Sequence, residues 1–564
     1  MRIDLTAARR LKRRLGVLLL ATLPFATLAA AAPPDSGAIL QQIQPVIPPA
    51  PSSTDTGLTI PQENGAALPA GAPLLVKTLR ITGNEKIGTA ILHALVADAE
   101  GKSLTLRDLE KLADRITDYY QTHGYPLARA IVPAQTIHDG VVQIEIIEAR
   151  YGEIKLDNHS RVNDPLLQAT LAPLRSGQAI AGTELDQALL LLSDIPGVAV
   201  NATLQPGDAV GTSDLVVAAT SGEAVTGNVA LDNYGNRYTG DARLGGTVNF
   251  IDPLRHGDEL SLTGLSSGSD MNYARLGYDA VLNGMGTVLG SAYSALDYKL
   301  GDTLRALDGH GTATVASLWA KDPLLRSRDF NLYAQVGFDR TELRDNIGAS
   351  DISTYRHLDT WTPTVTGDAR DGFLGGGIDT WSIGWTFGRL GFDNSQAQVA
   401  DAGSARTEGR FSKWNVSLVR VQLLNATTTL YLAFSGQVAH DNLDSAEKMN
   451  IGGPYTVRAY EMGAISADTG YLGTIEVRHD LALSANAQWQ TVVFLDSAHM
   501  TINQSPWVAG NNGATLSGVG AGVNWTGPHR WHARVYVATP IGPAPALVGA
   551  TSSTHVWAEI GKSL

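Results

Sequence analysis

From about residue 224 to residue 564 apolar and polar positions alternate. Phe330, Leu332, Ala334, Val336 and Phe338 interleave with Asn331, Tyr333, Gln335, Gly337 and Asp339, and Trp531, Ala533, Val535 and Val537 with His532, Arg534, Tyr536 and Ala538. A strand turns successive side chains to opposite faces, so a period of two describes a sheet with one apolar and one polar face. Many segments run about 10–14 residues, enough to cross a bilayer at a tilt, whereas a soluble sandwich alternates over shorter strands. Sixteen such segments can be laid out. Their connections alternate between short (283–286, 425–427, 526–528) and long (297–311, 341–356, 389–406, 440–470). Short periplasmic turns and long outer loops are the pattern of an outer-membrane barrel, and an even strand count puts both barrel ends on the periplasmic side. Backbone in lipid must be paired, so the sheet has to close, residues 555–564 pairing near residue 224. Sixteen strands leave room for a water-filled lumen.

Upstream of the barrel the period changes. Residues 75–149 predict strand, helix, helix, strand, strand. Thr105 and Asp108 form a capping signature ahead of Leu106, Leu109, Leu112, Ile116 and Tyr120 at helical spacing, Gly124 ends that helix, and Asp139-Gly140 turns the final strand pair. Residues 150–220 repeat the plan, with helices at 163–171 and 182–193 and strands at 198–204 and 214–219. Residues 36–44 predict a short helix stopped by Pro45. From 45 to 72 the chain is rich in Pro, Ser, Thr and Gly and reads as a linker. Extended at about 3.1 Å per residue, it can reach on the order of 85 Å, far enough for the helix to sit inside the pore; the helix is either a plug there or a disordered tail.

Residues 1–32 are a secretory signal: a basic start at Arg2, Arg9, Arg10, Lys12, Arg13 and Arg14, an apolar run at 15–23, and small residues at 28–32. The expected organisation is signal 1–32, helix and linker 33–74, α+β units 75–149 and 150–220, and barrel 221–564 with an inserted loop at about 440–470. The formal net charge is −13, and loss of the basic signal makes the chain more acidic still. Binding to nucleic acid needs Lys and Arg to neutralise phosphates, so no nucleic-acid partner is expected. With no Cys there is no disulfide framework and no thiolate site. The 13 His residues lack metal-ligand spacing, and no phosphate-binding loop opens a helix; neither metal nor cofactor is expected. Gly264-Leu265-Ser266-Ser267-Gly268 matches a nucleophile-elbow pattern but falls in a polar hairpin loop rather than a strand-to-helix turn, so no enzyme is expected.

The strand residues Gln490, Val492, Phe494 and Asp496 share a face; Asp496 is costly on lipid and should point into the lumen. Arg458 lies in the long loop before that strand, and a guanidinium fits a carboxylate with two parallel bonds. Glu476 and Arg478, on the strand after the loop, are candidate lumen charges.

With these motifs in order, the chain resembles the outer-membrane transporters of two-partner secretion (TpsB, the haemolysin/haemagglutinin secretion-activation family) of the POTRA-plus-barrel superfamily. In the first unit Tyr120, Gly124 and Tyr125, then Pro133, Gln135, Gly140 and Glu148, resemble the family's first POTRA domain. In the second, Pro196-Gly197, Pro206-Gly207 and 211–215 resemble its second. Val457-Arg458-Ala459-Tyr460 resembles the VRGY motif of its sixth outer loop, and Phe494 with Asp496 its FxDxG motif. Ala459 and Ala498 stand where those motifs have Gly. The resemblance implies α+β POTRA domains in the periplasm followed by an all-β 16-stranded transmembrane barrel in the outer membrane. It implies a lid loop held on the wall by Arg458 and Asp496. The implied function is export of a large, β-rich secreted protein, unfolded in transit and received by the POTRA domains. Implied partners are that protein, outer-membrane lipid, periplasmic chaperones and the barrel assembly machinery. The rival readings are a barrel assembly factor, whose relatives usually carry three or more POTRA units, and a passive porin, which needs neither POTRA units nor the loop motif.

Overall fold

The computed structural model describes residues 33–43, 50–60, 72–484, 486–543, 545–548 and 552–564. The signal expected at 1–32 and most of the linker (44–49 and 61–71) lie outside the described residues. Sixteen antiparallel strands form a closed barrel, from Val225–Asp232 round to His555–Ser563. The closing join pairs Asn228 with Ser563 through Asp232 with Glu559, five residue pairs, fewer than at any other join among the described barrel strands. The alternation sorts as elementary solvation requires. Val336, Trp361, Ile383, Trp385, Val416, Leu418 and Val537 are exposed on the outer wall. Asp345, Arg356, Thr360, Thr386, Ser417, Gln437, Glu476 and Asp496 are buried inside. In lipid the outer apolar face needs no partner, while inward polar groups find one another or water.

One expectation is corrected. Residues 341–356, read as a long loop, are almost all strand: Phe330–Ile347 and Ile352–Asp371 leave only 348–351 as the connection. The hairpin rises beyond the apolar band, where its outer positions Arg340, Glu342 and Arg344 are polar, so periodicity in hydrophobicity fades although the ladder continues. Its inner positions Leu343, Asp345, Arg356 and Leu358 are buried. The loop read at 389–406 likewise starts later, after the Gly377–Phe392 strand, and contains the helix Ser395–Ala402.

What those inner positions cover is the helix Ser36–Ile43. It lies inside the barrel, Ile39 and Leu40 packed among Leu296, Tyr298, Leu343, Leu358 and Leu390. Of the two alternatives left by the sequence, the structure places the helix in the lumen.

The two α+β units share one topology. In the first, Thr78–Thr82 runs parallel to Val141–Ile147, which pairs antiparallel with Arg129–Ile131. In the second, Arg150–His159, Thr212–Ser221 and Val198–Pro206 repeat that arrangement. Helices Thr89–Val96 and Leu106–Thr122 cover the first sheet, and Asp164–Leu171 and Gly182–Ser193 the second. Thr105 and Asp108 close a complete capping box, each side chain bonded to the other's backbone N–H.

The linker is not free over its whole length. Leu58–Thr59 adds a short parallel strand to the outer edge of Val198–Pro206. Just before it, the Ser52 hydroxyl donates to Asp368 at 2.6 Å, and Arg326 donates to the Ser53 carbonyl at 2.9 Å and to both oxygens of Asp194. Backbone groups at an open sheet edge, and the Asp368 and Arg326 side chains at the barrel rim, bind a Pro- and Ser-rich segment as readily as any other, so composition does not reveal the docking.

Candidate functional site

Residues 440–468 connect the strands Thr428–Ala439 and Thr469–Ser484 and fold back into the barrel. A small hairpin, Met449–Ile451 against Ile465–Ala467, stiffens the loop. Gly452 has φ 109° and sits so near the Glu461 carbonyl (2.1 Å from where a Cβ would be) that only glycine fits. The tip is anchored on the wall. Arg458 Nε donates to Asp496 Oδ2 at 2.8 Å and Nη2 to Oδ1 at 2.7 Å, the two-pronged geometry, while its backbone N–H donates to Oδ2 at 3.2 Å. Nη1 donates to Glu476 Oε1 at 2.7 Å. The guanidinium lies over the Phe494 ring at 3.4 Å, and Trp557 Nε1 donates to the Arg458 carbonyl at 2.7 Å. Arg458 is 4% exposed and Asp496 fully buried.

Charges this deep lose much of their hydration, and Coulomb attraction returns little net stability. The arrangement acts mainly through position: Asp496 also accepts from Thr474 at 3.0 Å, so nearly every lone pair is used and one loop placement satisfies them all. Arg478 donates to Glu476 through Nε at 2.8 Å and stacks on Tyr431, extending the network into a lumen cavity of about 710 Å³ also lined by Tyr455, Arg534 and Glu559. Val457, Ala459 and Tyr460 are buried with Phe494 and Ala498 in one apolar cluster. Ala459 fits because the opposing wall residue is Gly518: a Cβ there would stand 2.3 Å from the Ala459 methyl.

A second cluster escaped the sequence reading. Arg356, on the barrel wall, donates from Nη2 to Asp35 at 2.7 Å, from Nη1 to Asp345 at 2.7 Å and from Nε to Asp444 at 2.6 Å. One guanidinium thus joins the start of the lumen helix, the wall and the lid loop. Asp345 also accepts from the Ser36 backbone N–H and hydroxyl and from the Tyr298 hydroxyl. At the other end of the helix, Gln42 Oε1 accepts from Asn236, which also bonds the Met462 carbonyl of the loop. These partners lie from 11 to 321 residues apart in sequence, and no local spacing signals the cluster.

In the first α+β unit the motif residues hold the unit's own frame. The Tyr120 hydroxyl donates to Glu148 at 2.7 Å, and Glu148 also accepts from the Glu85 and Lys86 backbone N–H groups. Burial first, and then Glu148, push the Tyr120 phenol well above its ordinary range, so it stays a donor. Tyr125 meets Tyr120 edge to face behind Gly124, and Gln135, two residues after Pro133, bonds both backbone groups of Gln143.

With this geometry in view, known proteins place the chain. The family described as haemolysin secretion/activation protein ShlB/FhaC/HecB matches residues 211–525, and the POTRA domain of ShlB type matches residues 74–149. The heme/hemopexin transporter protein HuxB of Haemophilus influenzae strain 86-028NP is 28% identical over 474 residues, spanning 83% of this chain and 84% of its own. The outer membrane transporter CdiB of Escherichia coli O6:K15:H31 is 25% identical over 536 residues, 90% of this chain and 87% of its own. In solved structures, CdiB from Escherichia coli shares the fold with a TM-score of 0.69 at 21% identity, covering 89% of this chain and 93% of its own. BamA from Haemophilus ducreyi lacking POTRA domains 1–3 shares it at 0.51 and 14%, covering 87% and 100%.

Proposed function

The chain belongs to the haemolysin secretion/activation family ShlB/FhaC/HecB, the two-partner secretion transporters of the outer membrane, and from that membership we propose a gated export channel for one large, β-rich secreted protein. Its α+β units stand in the periplasm and receive the client unfolded, by adding a client segment to a sheet edge. Main-chain pairing of this kind tolerates many sequences, which suits an unfolded polypeptide. The client, periplasmic chaperones and the barrel assembly machinery that inserts the chain are its partners. The observation that carries the reading is the doubly obstructed lumen: the Ser36–Ile43 helix and the lid loop share one arginine, Arg356, with the wall. A passive porin has no use for two interlocked obstructions. The occupied edge of Val198–Pro206 supports a further element, in which the client displaces Leu58–Thr59 and so pulls on the segment leading to the lumen helix.

The deciding experiment compares surface and medium proteins of the native cell with and without the chain. Loss of one large exported protein, restored by the intact chain and poorly by Arg458→Ala, is expected. Broad depletion of many outer-membrane barrels would make the chain an assembly factor instead.

A further inference from the structure

The outer wall carries an unbalanced pair of charges. Arg340, Asp359, Arg389 and Arg410 lie side by side on four neighbouring strands, in one row of cross-strand partners. Their faces are settled by their neighbours: Leu343, Leu358, Leu390 and Phe411 pack into the lumen cluster, so these four, at the opposite parity, point outward. Directly toward the α+β end comes an aromatic belt, Phe338, Trp361 and Phe387 in the next rung and Trp385 stacked on Trp414 at 5.8 Å below it. The row therefore sits at the edge of the apolar band away from the α+β units, which in the outer-membrane orientation is the level of the outer-leaflet headgroups.

Within the row the charges do not cancel. Asp359 is bonded to Arg340 through both carboxylate oxygens, at 2.9 and 3.0 Å. Glu408, just ahead of the strand Gly409–Asn425 that carries Arg410, accepts from the Gln398 amide. Arg389 and Arg410 are direct cross-strand partners, both exposed, and among the described residues their side chains make neither a hydrogen bond nor an ion pair. Directly opposed side chains stand about 5 Å apart at Cβ, and like charges there oppose the pairing. Two guanidinium forks at that spacing match the oxygens of one phosphate group.

We infer that Arg389 and Arg410 form a binding site for the phosphorylated headgroup of an outer-leaflet glycolipid, whose acyl chains lie along the Trp385 and Trp414 belt. The aromatic face below the arginines argues for a lipid rather than free phosphate, because it gives the chains a surface to cover. The site fixes the depth of the barrel on the side that bears the tall Phe330–Ile347 and Ile352–Asp371 hairpin.

The full-length protein, purified in mild detergent, is titrated with diphosphorylated lipid A and followed by native mass spectrometry. Heat-modifiable migration reports that the barrel is folded. The wild type is expected to hold the lipid, and Arg389→Ala with Arg410→Ala to weaken binding at least ten-fold, as should the gentler Arg389→Gln with Arg410→Gln. Two arms use the wild type alone: dephosphorylated lipid A should bind at least ten-fold more weakly, and inorganic phosphate should fail to displace the lipid at equal concentration. Equal binding by the double variants, equal binding of the dephosphorylated lipid, or displacement by free phosphate would each overturn the site.

Discussion

Arg356 and Asp35 meet at 2.7 Å although 321 positions separate them in the chain. The contact fastens the first turn of the lumen helix to the barrel wall, and the same guanidinium holds Asp444 of the lid loop at 2.6 Å. Helix and loop are therefore not independent obstructions.

Arg356→Ala leaves three carboxylates facing one another, and their repulsion favours release of the helix. Conductance of the purified channel in a planar bilayer should rise, with long openings that the wild type shows rarely. Arg356→Lys should fall between, since an ammonium cannot present a planar fork to three partners. Wild-type conductance in the alanine variant would remove Arg356 from the gate.

For the lid tip, breaking a buried pair by removing one partner costs about 3–5 kcal/mol. Arg458→Ala and Asp496→Ala should each undock residues 452–462, seen as increased proteolysis and hydrogen exchange there, while the double variant should be no worse than either alone. Additive losses in the double variant would mean that the two residues act separately.

Gly518→Ala places a methyl 2.3 Å from that of Ala459, so the tip must move. Ala459→Gly alone should change export little, and combined with Gly518→Ala it should restore what the latter loses. If Gly518→Ala exports normally, the tip is looser than this packing implies.

The chain has no Cys, so an engineered pair is unambiguous. Thr59 and Thr203 are register partners. Thr59→Cys with Thr203→Cys should lock the linker onto the edge and block export until reductant is added. Export at the wild-type rate through the oxidised form would show that the client uses another edge.

Asp108 is held down to about 2, first by the hydrogen bond from the Thr105 hydroxyl and then by the Thr105 N–H. Its folded value lies below the ordinary 3.8, so its contribution is complete above that value and is lost as pH falls through about 2. Hydrogen exchange along Leu106–Thr122 in the full chain should accelerate across that window. Thr105→Ala should accelerate it at neutral pH and flatten the pH dependence.

Periodicity alone showed a barrel, because every lipid-crossing strand must put apolar groups outward and its alternation is local. The α+β repeat was legible for the same reason: capping at Thr105 and Asp108, the stop at Gly124 and the Asp139-Gly140 turn are all short-range. Beyond the lipid the rule lapses, and so the outer ends of Phe330–Ile347 and Ile352–Asp371, within 341–356, read as loop. Asp496 was legible as a lumen charge by its parity with Phe494, and Arg458 through its motif. The further bond from Arg458 to Glu476, the Gly518 recess beneath Ala459, and the joining of Asp35, Asp345 and Asp444 by Arg356 were decided only by closure of the barrel. Closure brings strands hundreds of residues apart around one lumen, and what a charge meets there depends on register and curvature, which no window of sequence contains.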